Sequence, residues 1–185
     1  LQQPHKVTSL FTVAQFLPGS PEWDLMLDAQ GQPHLTITAF GGATHSLSLL
    51  APTGHTPLAP LSEFNDDLHD PRFVRGPAGG LMVTALAGDN QVLLYQPQPD
   101  GGYAPPLLLG VGDKIDNALL LAAPGVLVLL TRHMELGPQR GRFPGMLMAQ
   151  ALSPGFMPTG PAVPVFGDER IYDFDADVTA AGIAV

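Results

Sequence analysis

Four aspartates recur along the chain at intervals of 46, 46 and 57 residues: Asp24, Asp70, Asp116 and Asp173. Each one begins a similar sequence pattern. A short apolar stretch comes first, then a turn with Gly or Pro, and then a run of Leu or β-branched residues. Carboxylates that a repeat brings together could work as general acid and base, or bind a hard cation such as Ca²⁺ through oxygen. The structural alternative is that each aspartate accepts backbone N–H bonds in a turn.

Three carboxylates stand at alternate positions further along the chain: Asp173, Asp175 and Asp177. Alternate residues of a strand share one face, so these side chains could bind Ca²⁺ together. A calcium loop of the EF-hand type needs Gly at its sixth position and Glu at its twelfth, and the segment has neither. We therefore predict no metal and no cofactor, with Ca²⁺ at these three residues as the alternative.

The aspartate spacing also indicates which elements hold these side chains. A period of roughly 40–50 residues is the signature of a repeat architecture. Predicted first strands begin each unit, at residues 23–27, 73–74, 118–121 and 172–174. Predicted second strands are the most regular, at residues 34–38, 81–86, 126–130 and 183–185. The turns between them contain Gly, which supplies the positive φ that tight hairpins need.

Proline recurs in the predicted fourth strand of every complete unit, at positions 57 and 60, 105 and 106, and 161 and 164. Proline cannot donate to a β-ladder, so it belongs on an outer edge strand. Four short strands with a proline-blunted edge are typical of one blade of a β-propeller. We predict an all-β fold, a β-propeller of four-stranded antiparallel blades, with about three complete blades and partial blades at both ends.

The predicted domain spans residues 1–185, with a partial blade at 1–20, blades at 21–66, 67–112 and 113–169, and a partial blade at 170–185. One interpretation joins the two ends in a composite blade and closes a four-bladed ring. We favour the other, a piece of a longer propeller, because the sequence stops inside an apolar strand and repeat arrays usually end in a polar cap.

The hairpin at residues 27–35, Leu-Asp-Ala-Gln-Gly-Gln-Pro-His-Leu, resembles one found in many bacterial β-propeller repeats, including sialidase-like ones. Paired glycines at 41–42, 79–80 and 101–102 resemble those of kelch repeats, although they fall at unequal places in the unit. The sialidase Asp-box is absent, and Trp23 is the only tryptophan, which departs from the WD40 pattern. The resemblance implies a propeller without selecting one family. It also implies that first strands line a central channel, with the aspartates at its mouth.

The third unit is longer than the others, and the excess lies between its second and third strands, at residues 131–145. This insertion contains three of the six arginines of an acidic chain, together with Met and Phe. Arg, Met and aromatic residues are enriched in the cores of protein interfaces. We predict a partner-binding surface on this loop, formed by Arg132, Met134, Arg140, Arg142 and Phe143.

Composition excludes several classes of function. A formal net charge of −9 and only two lysines argue against nucleic acid, whose phosphates attract Lys and Arg clusters. No apolar run has the roughly 18 residues needed to cross a bilayer. The absence of cysteine fits several compartments, and we favour a periplasmic or secreted location over a cytoplasmic one.

We therefore predict a non-catalytic β-propeller module for binding or scaffolding. Its partner would be another protein or further blades of the same protein. The alternative is a propeller-type glycoside hydrolase or carbohydrate-binding domain that uses Asp24, Asp70, Asp116 and Asp173. Glycoside hydrolysis requires two carboxyl groups roughly 5–5.5 Å or 6.5–9.5 Å apart, so their positions in the fold are informative.

Overall fold

Antiparallel β-strands form all the regular structure in the described part of the chain. The computed structural model describes residues 22–41, 44–51, 54–58, 68–123, 125–134, 144–179 and 182–185. Within these ranges there is no α-helix, so none that could cross a membrane. The prediction of an all-β antiparallel fold is confirmed.

The strands form three four-stranded sheets and one two-stranded sheet, and neighbours in each sheet are consecutive in sequence. The first sheet contains β1 (Trp23–Leu27), β2 (Pro33–Gly41), β3 (Thr44–Ala51) and β4 (Gly54–Leu58). The second contains β5 (Leu68–Arg75), β6 (Leu81–Ala87), β7 (Gln91–Tyr95) and β8 (Leu107–Val111). The third contains β9 (Ile115–Ala123), β10 (Val126–Met134), β11 (Gly145–Leu152) and β12 (Val163–Pro164), and the fourth β13 (Asp177–Thr179) and β14 (Gly182–Ala184).

The central strands β6 and β7 of the second sheet are buried on both faces. Alternate residues of β6 point in opposite directions, and Val83 and Ala85 pack towards the first sheet, where Met26 meets them. Met82 and Leu86 pack towards the third sheet, against residues such as Leu120 and Leu129 of β9 and β10. The outer face of the third sheet is covered in turn by apolar residues of the C-terminal segment, including Val178 and Ile183. The sheets therefore pack face to face in chain order.

Hydrogen bonds also link the first strands of the first and second sheets. The amide of Phe73 donates to Asp24 Oδ2 at 2.7 Å, and Arg75 Nη2 donates to the carbonyl of Leu27 at 2.7 Å. The paired residues are 49 and 48 positions apart. A nearly constant offset means that β1 and β5 run side by side in the same direction. The two strands are thus held in register without a shared β-ladder.

One five-residue turn occurs four times in the described part of the chain, at residues 28–32, 76–80, 98–102 and 153–157. In each, the first amide donates to the fifth carbonyl and the fourth amide donates to the first carbonyl, at 2.8–3.1 Å. The fourth residue has a positive φ, which is +75° at Gly31, +82° at Gly79 and +85° at Gly101. In the fourth copy this position is Phe156, with a φ of +62°. A residue with a side chain therefore occupies a conformation that normally selects glycine.

Burial explains why phenylalanine is tolerated there. The Phe156 side chain is only 8% exposed and belongs to the apolar cluster between the second and third sheets. A non-glycine residue in the left-handed region costs roughly 1–2 kcal/mol, whereas truncating a buried Phe costs about 3–5 kcal/mol. Packing therefore outweighs backbone strain at this turn.

Several predicted strand positions were wrong, and Pro105 and Pro106 precede the edge strand β8 instead of lying in it. Residues 172–174 are not a strand, and the first strand of the fourth sheet is β13, which begins at Asp177. Alternating apolar residues of segment 171–176 instead pack on the third sheet as irregular chain. The predicted insertion at 131–145 is also shorter, because β10 continues to Met134 and pairs with β11 as far as Gly145.

The positive φ of Phe156 predicts that its glycine variant is more stable than its alanine variant, which is the reverse of the usual order. Both Phe156→Ala and Phe156→Gly should lose apolar packing, so each should be less stable than the natural chain by several kcal/mol (about 2–5). Phe156→Gly should be the more stable of the two by about 1 kcal/mol, because glycine relieves the positive φ. Urea denaturation of the three proteins measures these differences.

Gly101→Ala is the matched control at the equivalent turn position. A Cβ there would meet nothing within 4 Å, so this substitution isolates the backbone cost, which we expect at about 1 kcal/mol. If Phe156→Ala is as stable as Phe156→Gly, the proposed strain is absent.

Candidate functional site

The recurrent aspartates lie at or near the first strand of each sheet. Asp24 lies in β1, Asp70 in β5 and Asp116 in β9, whereas Asp173 precedes β13. Among the residues that the structure describes, no group of three His, Asp or Glu side chains is arranged to hold a metal ion. Each of the four carboxylates has its own local partners.

Asp24 joins the first sheet to the second. Its Oδ1 accepts the amide of Leu25 at 2.8 Å, and its Oδ2 accepts the amide of Phe73 in β5 at 2.7 Å. Both oxygens are therefore used to bind backbone N–H groups. The alternative raised by the sequence placed such bonds in a turn, whereas Asp24 lies in a strand and one of its donors belongs to another strand.

Asp116 forms a nearly buried ion pair with Arg132. Arg132 Nε donates to Asp116 Oδ1 at 2.9 Å, and Arg132 Nη2 donates to Asp116 Oδ2, so the contact is bidentate. Arg132 lies in β10 and is 7% exposed, and its Nη1 is buried without a hydrogen-bond partner. The residue predicted as part of an exposed partner surface is thus placed inside the third sheet.

The other residues of the predicted partner surface divide into two groups. Met134 is the last residue of β10 and is half-buried. Arg140, Arg142 and Phe143 lie outside the described residues. A partner surface on that loop stays a prediction.

The three carboxylates at 173, 175 and 177 each accept the amide of the next residue, at 2.7–3.0 Å. Asp173 Oδ1 also accepts Asn117 Nδ2 at 3.3 Å, which connects the segment to β9. All three residues are exposed. Calcium at Asp173, Asp175 and Asp177 stays an alternative prediction. The backbone contacts of these carboxylates do not require a metal ion.

Asp70 differs from the other aspartates in its backbone. It lies with Pro71 in a bulge of β5, where these two residues stand between the pairs His69↔Leu86 and Arg72↔Thr84. Its φ is +45°, a value that residues with side chains rarely adopt. Bulges of this kind turn side chains away from the regular alternation of a strand. The bulge therefore directs the polar groups of this part of β5.

Asp70 is also electrostatically distinct. Its Oδ1 accepts Arg72 Nε at 3.1 Å and lies 3.0 Å from Arg72 Nη2, while its Oδ2 is buried without a hydrogen-bond partner. Burial raises the pKa of the Asp70 carboxyl above its ordinary value of 3.8, although the nearby Arg72 charge opposes this shift. The Glu22 carboxylate, which accepts the Asp70 amide through Oε2, raises the pKa further.

A cleft of about 270 Å³ opens at this position between the first and second sheets. It is lined by Glu22, Trp23, Asp70, Pro71 and Arg72. Sequence analysis selected Asp70 as a candidate and identified Trp23 as the only tryptophan, but it did not select Glu22 or Arg72. Each of these two residues lies two positions from a recurrent aspartate, so the period-two geometry of a strand was the available signal.

A second cavity, of about 360 Å³, lies between the turns of the second and third sheets. Its lining is mainly apolar and includes Met82, Pro97, Pro154 and Phe156. No titratable side chain lines it. The cavity carries no group for acid–base chemistry.

No family model, no curated protein and no solved structure matches this chain. The resemblance to bacterial β-propeller repeats rests on the hairpin and glycine patterns of the sequence, and it stays a prediction.

The buried pair in the third sheet predicts a strong coupling between its two partners. Asp116→Leu alone should lower the free energy of unfolding by about 3–5 kcal/mol, because it leaves the Arg132 charge buried without its partner. The double variant Asp116→Leu/Arg132→Met should recover most of that loss. A double-mutant cycle by urea denaturation measures the coupling, and additive effects would contradict it.

Asp70 predicts a specific dependence of stability on pH. Because its folded pKa is raised, the folded chain binds this proton more tightly than the unfolded chain does. The carboxyl's contribution to stability is therefore full below the unfolded pKa and is lost as pH rises from about 3.8 through the folded value. Asp70→Asn should remove this loss, so the stability of the natural chain relative to the variant should fall across that range.

Carboxyl NMR titration provides the direct measurement. Asp70 should titrate above 3.8, whereas Asp28 should titrate below it, because the His34 ring and the Gln32 amide both donate to its carboxylate. A value for Asp70 at or below its ordinary one would contradict the electrostatic description of the cleft.

Proposed function

We propose that the chain is a non-catalytic β-propeller module that binds another protein through the exposed apolar face of β1. The propeller arrangement is supported by three sheets of consecutive strands that pack face to face in chain order. It is supported further by the parallel course of β1 and β5, the first strands of successive sheets.

The observation that carries the binding proposal is an exposed apolar stripe on β1. Trp23, Leu25 and Leu27 occupy alternate positions of the strand and are 61%, 46% and 54% exposed. Residues at alternate positions share one face, so the three side chains form a continuous surface. Exposed apolar surface of this kind is costly in water and commonly marks an interaction site.

The position of the stripe adds a second argument. β1 is the edge strand of its sheet, and edge strands with large apolar side chains readily associate with other chains. The opposite face of β1 already packs on the second sheet through Met26. The natural complement of the exposed stripe is therefore an apolar surface of the same kind, supplied by a partner protein.

The contacts of the aspartates favour binding over catalysis. Asp24 uses both oxygens on backbone amides, and Asp116 uses both on Arg132. A carboxylate engaged in this way is a poor acid, base or nucleophile, because reaction would break the contacts that stabilise the fold. The glycoside hydrolase alternative loses the support of these two residues.

Site-specific photo-crosslinking in the organism that makes the protein tests this proposal. Leu25→p-benzoylphenylalanine should yield a discrete adduct with another protein, because the probe stands at the centre of the stripe. Gln30→p-benzoylphenylalanine is the matched control, since Gln30 is exposed in the turn of the same hairpin. Leu25→Asp should then abolish co-purification of the crosslinked protein. Equal labelling at positions 25 and 30, or none at 25, would contradict the proposal.

A further inference from the structure

The cleft at the start of β1 and β5 has the composition of a small polar binding site. We propose that it binds a neutral carbohydrate, with a single sugar ring held by Glu22, Trp23 and Arg72. This site is separate from the protein-binding stripe except at Trp23, which belongs to both.

The hydrogen-bond acceptor of the proposed site is the Glu22 carboxylate, and the first sheet holds its backbone. The Glu22 carbonyl accepts the amide of Thr38 at 2.9 Å, and the Glu22 amide donates to Thr38 Oγ1 at 3.2 Å. Thr38 is buried in β2, so the backbone of Glu22 is anchored in the sheet. The Glu22 side chain reaches across to the second sheet, where Oε2 accepts the Asp70 amide. Oε1 remains to accept a ligand hydroxyl.

The hydrogen-bond donor of the proposed site is the Arg72 guanidinium, which the second sheet holds. Asp70 Oδ1 binds Arg72 through Nε and Nη2, which fixes the guanidinium plane. The carbonyl of Arg72 also accepts Thr84 Oγ1 of β6 at 3.4 Å. No described residue accepts a hydrogen bond from Nη1, and the Arg72 side chain is 43% exposed. Arg72 can therefore donate to a ligand without leaving Asp70.

Size and an aromatic wall favour a sugar ring. The cleft volume of about 270 Å³ lies below the roughly 300–1,000 Å³ of pockets for drug-sized ligands. A pyranose has an apolar C–H face and a rim of hydroxyl groups, which suits an exposed indole beside polar side chains. Trp23, which is 61% exposed, is the aromatic residue that lines the edge of the cleft.

The charged side chains that line the cleft favour a neutral sugar over other small ligands. An anion such as phosphate would meet the Glu22 carboxylate and the Asp70–Arg72 pair, in which the positive charge is already neutralised. An organic cation could donate to Glu22 and approach Trp23, but it would offer no acceptor to the Arg72 guanidinium. A hydroxyl group both donates and accepts, so a neutral sugar can satisfy Glu22 and Arg72 together.

Preorganisation strengthens the inference. Binding is most favourable where side chains need little reordering, and here two sheets, a bulge and an ion pair hold the polar groups in place. The positive φ of Asp70 serves this arrangement, since it lets one residue pair with Arg72 through its side chain and with Glu22 through its amide. A regular strand would direct these two groups differently.

The single tryptophan makes the proposal directly testable. An array of immobilised neutral mono- and oligosaccharides should identify a binding sugar, and titration with that sugar should then give a saturable change in Trp23 fluorescence. Because Trp23 is the only tryptophan, the signal reports binding at Trp23, and the variants of Arg72 and Glu22 assign that binding to the cleft. Arg72→Gln should weaken binding at least about tenfold, since a hydrogen bond to a charged group is lost.

Arg170→Gln is the matched control. It removes an arginine from the C-terminal segment, where Arg170 donates to the Asp168 carbonyl at 2.8 Å, and Arg170 does not line the cleft, so the affinity should be unchanged. Glu22→Ala is a second test variant at an exposed residue, which guards against misfolding of Arg72→Gln, and it too should weaken binding. Circular dichroism verifies the fold of each variant.

Three results would overturn the proposal. The first is the absence of any sugar from the array that alters Trp23 fluorescence. The second is equal affinity in the natural chain, Arg72→Gln and Glu22→Ala. The third is a saturable response to methylammonium or L-lysine but to no sugar, which would assign the cleft to a cation instead. None of these results bears on photo-crosslinking at Leu25, so the two proposals fail separately.

Discussion

The double burial of the second sheet is the constraint on which the rest of the fold depends. A β-sheet of this kind is stable in water only when both apolar faces are covered, because each exposed face would lose the free energy of burying large side chains. The alternation in β6 divides its residues between two different neighbours, with Val83 on one side and Met82 on the other. One sheet thereby requires a sheet before it and another after it. The 46 residues from Asp24 to Asp70 and again from Asp70 to Asp116 span the chain between strands β1, β5 and β9, which belong to successive sheets.

Polar groups at the first strands set how the sheets meet. Apolar packing alone permits sliding, since it has little directional preference. The bonds from Phe73 to Asp24 and from Arg75 to the Leu27 carbonyl remove that freedom between the first two sheets. In the third sheet the corresponding aspartate, Asp116, is bound to Arg132 of the neighbouring strand. The recurrent carboxylate therefore has different local partners in different sheets.

Much of the fold was predictable because local sequence and tertiary burial agree. The second strands and the glycine turns follow from period and positive φ. The missing amide of proline correctly predicts edge strands at Pro57 and Pro164, but Pro105 and Pro106 precede their edge strand, β8. Prediction failed where tertiary contacts overrule local rules. Phe156 occupies a glycine position because its ring is buried between two sheets, and residues 172–174 have strand-like composition but pack as irregular chain. The interaction of Arg132 with Asp116 was hidden because it depends on strand register, which extends β10 beyond the predicted boundary.

The candidate site was only partly predictable for a related reason. Asp70 was visible from its spacing, but the cleft depends on a bulge that reorients β5 and on Glu22 from another sheet. Trp23 links the two proposed activities, because it lines the cleft and also begins the apolar stripe of β1. A partner protein that covers the indole would restrict the cleft opening, and a sugar stacked on the indole would remove apolar surface from the partner. Under both proposals the two ligands therefore compete for one side chain, although their other contacts lie on different groups.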